Sequence, residues 1–228
     1  MKSWSQVLFA ILLLTHHADL QAQQEPYPFW NDIRQFKTSD SLRPPRKNAI
    51  LFVGSSSITN WKDVQDYFPG YPIINRGFGG SSLTDLIRYA DEIIYPYKPK
   101  QVVIYCGEND LASLDTVSAR TVFHRFKELF LLIRAKLPTV CIDYISMKPS
   151  PSREHLRPKM LEANLLIKNY LRAKKKTAFI DVYHKMLNDD GTPIKDIFIE
   201  DNLHMNAKGY HIWQKIIEPY LLKIKKER

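Results

Sequence analysis

Residues Ala49 to Trp61, AILFVGSSSITNW, constrain this chain more than any other stretch. Ala49 to Val53 is a short apolar run, partly β-branched, of the length of a buried strand. Gly54 and the serines Ser55, Ser56 and Ser57 follow at once, and then a segment able to turn helical. A strand that ends in a small-residue turn and feeds a helix presents a side chain at the carboxyl edge of a sheet. Open α/β sheets bind their ligands at that edge. A serine there can be a nucleophile if a base reaches it and donors await the oxyanion. The same residues can equally do no more than turn the chain and cap a helix. The partners supplied by the rest of the chain decide between the two.

From Ala49 onward the pattern is strand, then helix. Further strands are expected at Ile73 to Asn75, Gln101 to Cys106, Val140 to Ile145 and Ala178 to Val182. Helices are expected at Trp61 to Phe68, from Ser82 through Ile94, at Val117 to Lys136, at Glu154 to Lys174 and at Ala207 to Lys223. Ser82 suits an N-cap, with Asp85 in the first turn. In the fourth helix Leu161, Leu165, Ile167 and Leu171 are available to the core. This alternation predicts a three-layer α/β/α sandwich around a central parallel sheet of about five strands. Trp61, Phe78 and Met147 are read as core residues rather than pocket walls.

The first residues, MKSWSQVLFAILLLTHHADLQAQQ, have the layout of a secretory signal peptide. Lys2 is followed by the apolar run Val7 to Leu14 and the small residues of Ala18 to Ala22. That run is far below the ~20 residues of a membrane span. Cleavage is expected after Ala22, with an uncleaved anchor as the alternative. The expected organisation is a signal peptide at 1–22, an extension at 23–48 and one domain at 49–228. The expected location is secreted or periplasmic, without stable membrane insertion once the signal is removed. The extension carries prolines and the aromatic patch Tyr27, Phe29 and Trp30, with a short helix near Trp30 to Thr38.

A formal net charge of +9 favours anionic partners. The basic runs, Arg172 to Lys176 and Lys223 to Arg228, fall at expected helix ends, where lysines complement the helix dipole. No zinc finger or RNP-like aromatic pattern accompanies them, so no nucleic-acid partner is expected. Cys106 and Cys141 sit in apolar runs without a CxxC spacing and read as buried free thiols, a disulfide being left open.

Three turns stand at the carboxyl ends of predicted strands: Gly54-Ser55-Ser56-Ser57, Gly77-Phe78-Gly79-Gly80 and Gly107-Glu108-Asn109-Asp110. Far downstream, just before the last helix, lies Asp201-Asn202-Leu203-His204. Together they offer a serine, a glycine N–H, an asparagine amide and an acid–histidine pair, the parts needed for acyl transfer. Asp201 and His204 have no third ligand at a suitable spacing for a metal. His184 and His211 are competing bases on residue type alone.

At these residues the sequence resembles the SGNH hydrolases of the GDSL esterase/acylhydrolase superfamily, from about Ala49 to the last helix. Four blocks carry the resemblance, in order: FVGSSSITNW, NRGFGGSSLTDL, IYCGENDL and DNLHMNAKGY. The resemblance implies a flavodoxin-like fold and a serine esterase. It implies Ser56 as nucleophile, His204 as base and Asp201 as the partner of the base. It implies an oxyanion hole from the Ser56 N–H, Gly80 and the Asn109 side chain. Ser55 stands where the usual GDS has aspartate, and Ser57 is the alternative nucleophile. Asp110 is expected to brace its loop. No metal and no cofactor are implied.

GSS forms of the block resemble secreted bacterial carbohydrate esterases. The expected substrate is therefore a small-molecule or glycan ester with a short acyl group such as acetyl. A lysophospholipase or thioesterase, and a non-catalytic carbohydrate-binding protein, are the alternatives. The segment Ser146 to Arg153 is expected to wall the pocket, with Arg153 facing solvent or an anionic substrate group. Oligomeric state is not legible.

Overall fold

The computed structural model describes residues 27–223. The expected signal segment and its cleavage site lie outside the described residues. The five apolar runs form strands β1 (Ile50–Gly54), β2 (Ile73–Gly77), β3 (Gln101–Tyr105), β4 (Cys141–Ile145) and β5 (Thr177–Ile180). All pair in parallel, in the order β2-β1-β3-β4-β5. The chain leaves β1 toward β2 and then crosses back to β3 on the other side. The crevice beyond β1 and β3 is therefore the topological switch point, where a ligand site belongs.

Side chains of β1 alternate between two cores. Leu51 and Val53 join the larger one with Val102, Ile104 and Tyr144. It is covered by α1 (Trp30–Leu42), α4 (Leu83–Arg88), α5 (Ala90–Ile93), α7 (Ala119–Lys136) and α8 (Arg157–Arg172). Ile50 and Phe52 join the other, beneath α2 (Ser56–Thr59), α3 (Val64–Tyr67) and α9 (Ala207–Ile217). The remaining helix, α6 (Glu108–Ser113), follows β3 directly. Strands buried on both faces are the rule for a parallel sheet clad by helices, and the three-layer expectation holds.

Trp61, Phe78 and Met147 are fully buried, as expected of core residues. Trp61 stacks on Tyr210 at 4.9 Å between ring centroids and meets Phe68 at 5.5 Å edge-on. It lies outside the helix expected at Trp61 to Phe68, because the chain turns helical already at Ser56. The helix expected from Ser82 divides at Tyr89, whose hydroxyl donates to the Pro28 carbonyl at 2.7 Å. The fourth long helix begins at Arg157 rather than Glu154, with Pro158 in its first turn. The last helix ends at Ile217, two residues before Pro219.

One core expectation is corrected in part. Ile167 and Leu171 are buried as expected, but Leu161 and Leu165 are exposed, and α8 buries Met160, Ala163 and Asn164 in their place. The polar member of this stripe has a purpose. Asn164 accepts from the Met147 N–H at 2.9 Å and donates to its carbonyl at 3.0 Å, pinning the chain after β4. Satisfied on both sides, a buried amide is tolerated where an unpaired one would not be.

The extension packs on the larger core from residue 27 onward. Ile33 is fully buried, and Asp40 accepts from Tyr97 at 2.6 Å and pairs with Arg76. At the opposite edge of the sheet from the serine turn, Asp143 and the Tyr220 carbonyl both accept from the Gln101 amide. Both cysteines are free, Cys106 buried and Cys141 partly so.

Candidate active site

Ser56 is the first residue of α2, two residues beyond the end of β1. The turn that places it depends on Gly54, whose φ of +150° disfavours any side chain. A Cβ at Gly54 would also lie 1.9 Å from the Tyr105 carbonyl oxygen on the neighbouring strand. That carbonyl accepts the Ser55 N–H at 3.1 Å, so the turn is fastened to β3 on the first residue after the strand.

His204 arrives from the far end of the chain, on a tight loop between the paired Phe198 and Met205. The loop is closed by the Ile199 N–H donating to the His204 carbonyl at 2.8 Å. His204 Nε2 lies 2.9 Å from Ser56 Oγ, and Nδ1 lies 2.5 Å from Asp201 Oδ2. The second oxygen, Oδ1, accepts the backbone N–H groups of Leu203 at 2.8 Å and His204 at 2.9 Å. Burial works against ionising Asp201, but the hydrogen bonds from the His204 ring and from the two backbone groups outweigh it. They hold its carboxyl at about 2. The acid is thus a fixed anion aimed at one imidazole nitrogen, with the other nitrogen on the serine.

Ser57, the neighbouring candidate, is buried, and its carbonyl accepts from Tyr210 at 3.0 Å. The nitrogen of His204 that reaches this turn reaches Ser56. His184 pairs instead with Asp181 at 3.0 Å, and His211 lies against Gln214 and the Tyr67 ring.

The Gly79-Gly80 turn passes close to the serine: a Cβ at Gly79 would be 3.9 Å from that of Ser56. Gly80 has a φ of +83°, which orients this turn in a way an L side chain resists. The Phe29 ring lies beside it, 3.7 Å from where a Cβ would be. Ser81 ties the three turns together. Its hydroxyl donates to the Gly54 carbonyl at 3.4 Å and its carbonyl accepts from Asn109 Nδ2 at 2.9 Å. One amide hydrogen of Asn109 is so engaged, and among the described residues the other has no protein acceptor. Asp110 braces the same loop as expected, accepting from the Leu83 N–H at 2.9 Å and from Arg125 at 2.7 Å.

The family follows from the sequence as a whole. The profile of the GDSL-like lipase/acylhydrolase family matches residues 53–212. The chain belongs to this family. Its fold agrees with solved structures. A GDSL-like lipase from Bacteroides thetaiotaomicron superposes with a TM-score of 0.70 at 21% identity, covering 82% of this chain and 95% of that one. A catalytic variant of an acetylxylan esterase from Geobacillus stearothermophilus superposes with a TM-score of 0.62 at 16% identity, covering 80% and 98%. At such identities the likeness establishes the fold alone. No curated protein matches this sequence. Membership in the GDSL-like family makes the chain an ester hydrolase by family, acting on small-molecule esters.

Around this GDSL-type site the structure corrects one expectation. Arg153 does not stand out into solvent: its side chain is only 16% exposed. Its guanidinium donates to Glu108 Oε2 at 3.2 Å and to Asn109 Oδ1 at 2.8 Å. Glu108 is buried and also accepts from Tyr105 and from Lys148, whose ammonium lies 3.3 Å from Oε2. Burial pulls Lys148 below the ordinary lysine range, while Glu108 works to hold its charge. Sequence reading placed Glu108 in a site turn and Lys148 in the expected pocket wall but gave them no role, and it gave none to Ser81. The KPSPSR run after β4 was the visible signal, but its partner lies 40 residues upstream.

Proposed function

We propose that the protein is a secreted serine esterase that removes short acyl groups, acetyl above all, from carbohydrate. The single observation that carries the reaction is the hydrogen-bonded chain from Ser56 Oγ through His204 to Asp201. A serine hydroxyl is too weakly acidic to attack unaided, and His204 Nε2 is placed to take its proton. Ser56 Oγ bonds to the ester carbonyl carbon as the carbonyl π pair moves onto oxygen. Asp201 holds the imidazolium that forms and stays ionised throughout. The Ser56 N–H, the Gly80 N–H and the free Asn109 amide hydrogen stabilise the oxyanion. When the pair returns, the C–O bond to the alcohol breaks and His204 gives its proton to the leaving oxygen. Water, deprotonated by the same imidazole, then attacks the acyl-serine, and Ser56 leaves with the proton back on Oγ. Losing one oxyanion donor from such a site costs about 3 kcal/mol of transition-state stabilisation.

The acetyl preference is supported by the GSS form of the serine block, which resembles secreted carbohydrate esterases, and the acetylxylan esterase is an instance of that activity on this fold. Export is supported by the signal-like residues of 1–22. The test is the hydrolysis of 4-nitrophenyl acetate, butyrate, octanoate and palmitate, together with acetate release from acetylated xylo-oligosaccharides. Activity on acetate and on the glycan is expected. A preference for octanoate or longer would move the substrate to a lipid or thioester, and inertness of folded protein on all of them would leave a binding protein.

A further inference from the structure

We propose that Arg153 is a positioning residue of the oxyanion hole, setting the orientation and donor strength of the Asn109 amide. The inference rests on the reading of Asn109 as an oxyanion donor.

A primary amide at the end of an asparagine has a broad, roughly two-fold terminal torsion, so nothing intrinsic fixes which end faces a substrate. Here two contacts of opposite polarity fix it. The Ser81 carbonyl accepts from Nδ2 at 2.9 Å, and Arg153 Nη2 donates to Oδ1 at 2.8 Å. With the oxygen held by a cation and one hydrogen held by a carbonyl, the remaining hydrogen has one direction left. A cation on the amide oxygen also draws electrons from the nitrogen and strengthens that hydrogen as a donor.

Arg153 is itself held rigidly. Its side chain is only 16% exposed and its other arm binds Glu108, which Lys148 and Tyr105 fix from behind. The loop carrying it is pinned at both ends of the site. Ser146 Oγ accepts the backbone N–H groups of Val182 and Tyr183, and Ser152 donates through its hydroxyl and its N–H to the Asn202 carbonyl, at 3.0 and 3.2 Å. Asn202 lies between Asp201 and His204 in the loop that carries the base. One loop therefore couples the acid–base pair to the oxyanion donor. Neutralising Glu108 would need only a positive charge. The planar fork, with one arm on the carboxylate and one on the amide oxygen, does more than that, and a lysine has no matching geometry.

The test is a double-mutant cycle on 4-nitrophenyl acetate with Asn109→Ala, Arg153→Met, Arg153→Lys and each Arg153 variant combined with Asn109→Ala. Circular dichroism establishes folding, and Arg153→Lys decides if Arg153→Met does not fold. Asn109→Ala is expected to lower kcat by about 10²–10³-fold with little change in KM, as for an interaction made in the transition state. Arg153→Met is expected to lower kcat by about tenfold to a hundredfold, and Arg153→Lys by less, each with KM within about twofold. In the Asn109→Ala background neither Arg153 change should move kcat by more than about twofold. An Arg153 variant with wild-type kcat, or one that loses the same factor with and without the Asn109 amide, overturns the proposal. If Asn109→Ala keeps wild-type kcat, the oxyanion reading of Asn109 fails and this inference with it. If Asn109→Ala falls and both Arg153 variants do not, this inference alone fails.

Discussion

Asp201 divides its two carboxylate oxygens between the ring and the backbone of the same residue, His204. Oδ2 takes the imidazole Nδ1 at 2.5 Å, and Oδ1 takes the His204 N–H at 2.9 Å. The ring and the peptide that carries it are held by one anion, which orients Nε2 toward Ser56.

That arrangement predicts the effect of Asp201→Asn. The amide can keep the contact but offers no charge for the imidazolium and can favour the wrong tautomer. A loss on the order of 10³–10⁴-fold in kcat is expected, measured on 4-nitrophenyl acetate, with KM little changed. For pH the sign is clear. The folded value of about 2 lies below the ordinary ~3.9 of aspartate, so the contribution of this group to stability is present above about pH 4 and is lost as pH falls toward 2. Acid unfolding curves of wild type and Asp201→Asn should therefore converge below pH 2 and run parallel above pH 4.

The turn before the serine tolerates no side chain. Gly54→Ala would set a Cβ 1.9 Å from the Tyr105 carbonyl oxygen, forcing β1 and β3 apart at the edge that carries the site. A loss of about 3 kcal/mol or more is expected in urea unfolding. Gly70→Ala, where a Cβ would have no neighbour within 4 Å, serves as the comparison and should change stability by less than about 0.5 kcal/mol.

The strand ends and the serine, glycine, asparagine and Asp–His turns were legible because each rests on local chemistry: a strand-length apolar run, a small-residue turn, a loop before a helix. Arg153 was not. Its direction is set by Glu108 and Asn109, more than 40 residues away and on another strand's turn, and residue type alone sends an arginine to solvent. Leu161 and Leu165 of α8 misled for a related reason. Helical spacing permits two adjacent stripes, and the buried one contains Asn164, whose partners are backbone groups of a distant loop. The division of the Ser82 helix at Tyr89 likewise depends on the Pro28 carbonyl, supplied by the segment before the sheet.

Trp61 holds the second core together from outside any helix. Its indole N–H is buried without a hydrogen-bond partner among the described residues. Trp61→Phe removes that unsatisfied donor along with part of the ring, and should cost only about 1 kcal/mol. Trp61→Ala opens a cavity against Tyr210 and Phe68 and should cost about 3–5 kcal/mol, both read by urea unfolding.

Asp143 titrates in the opposite sense to Asp201. Burial raises it to about 6, against the hydrogen bonds from Gln101 and the Ala178 backbone. Its folded value lies above the unfolded ~3.9, so it favours the folded state below about pH 4 and that contribution is lost as pH rises through 6. Two units correspond to roughly 3 kcal/mol. The stability of wild type relative to Asp143→Asn should fall by about that amount from pH 4 to pH 7, and identical pH dependence of the two proteins would contradict it.

The most direct test of the account is where an acyl group or an acyl-like phosphonate becomes attached. Folded protein treated with a fluorophosphonate is digested and the modified residue is read by tandem mass spectrometry, with Ser56→Ala and Ser57→Ala alongside. A single adduct on Ser56 is expected, retained in Ser57→Ala and absent from Ser56→Ala, in step with esterase activity. An adduct on Ser57, or esterase activity that survives Ser56→Ala, would contradict it.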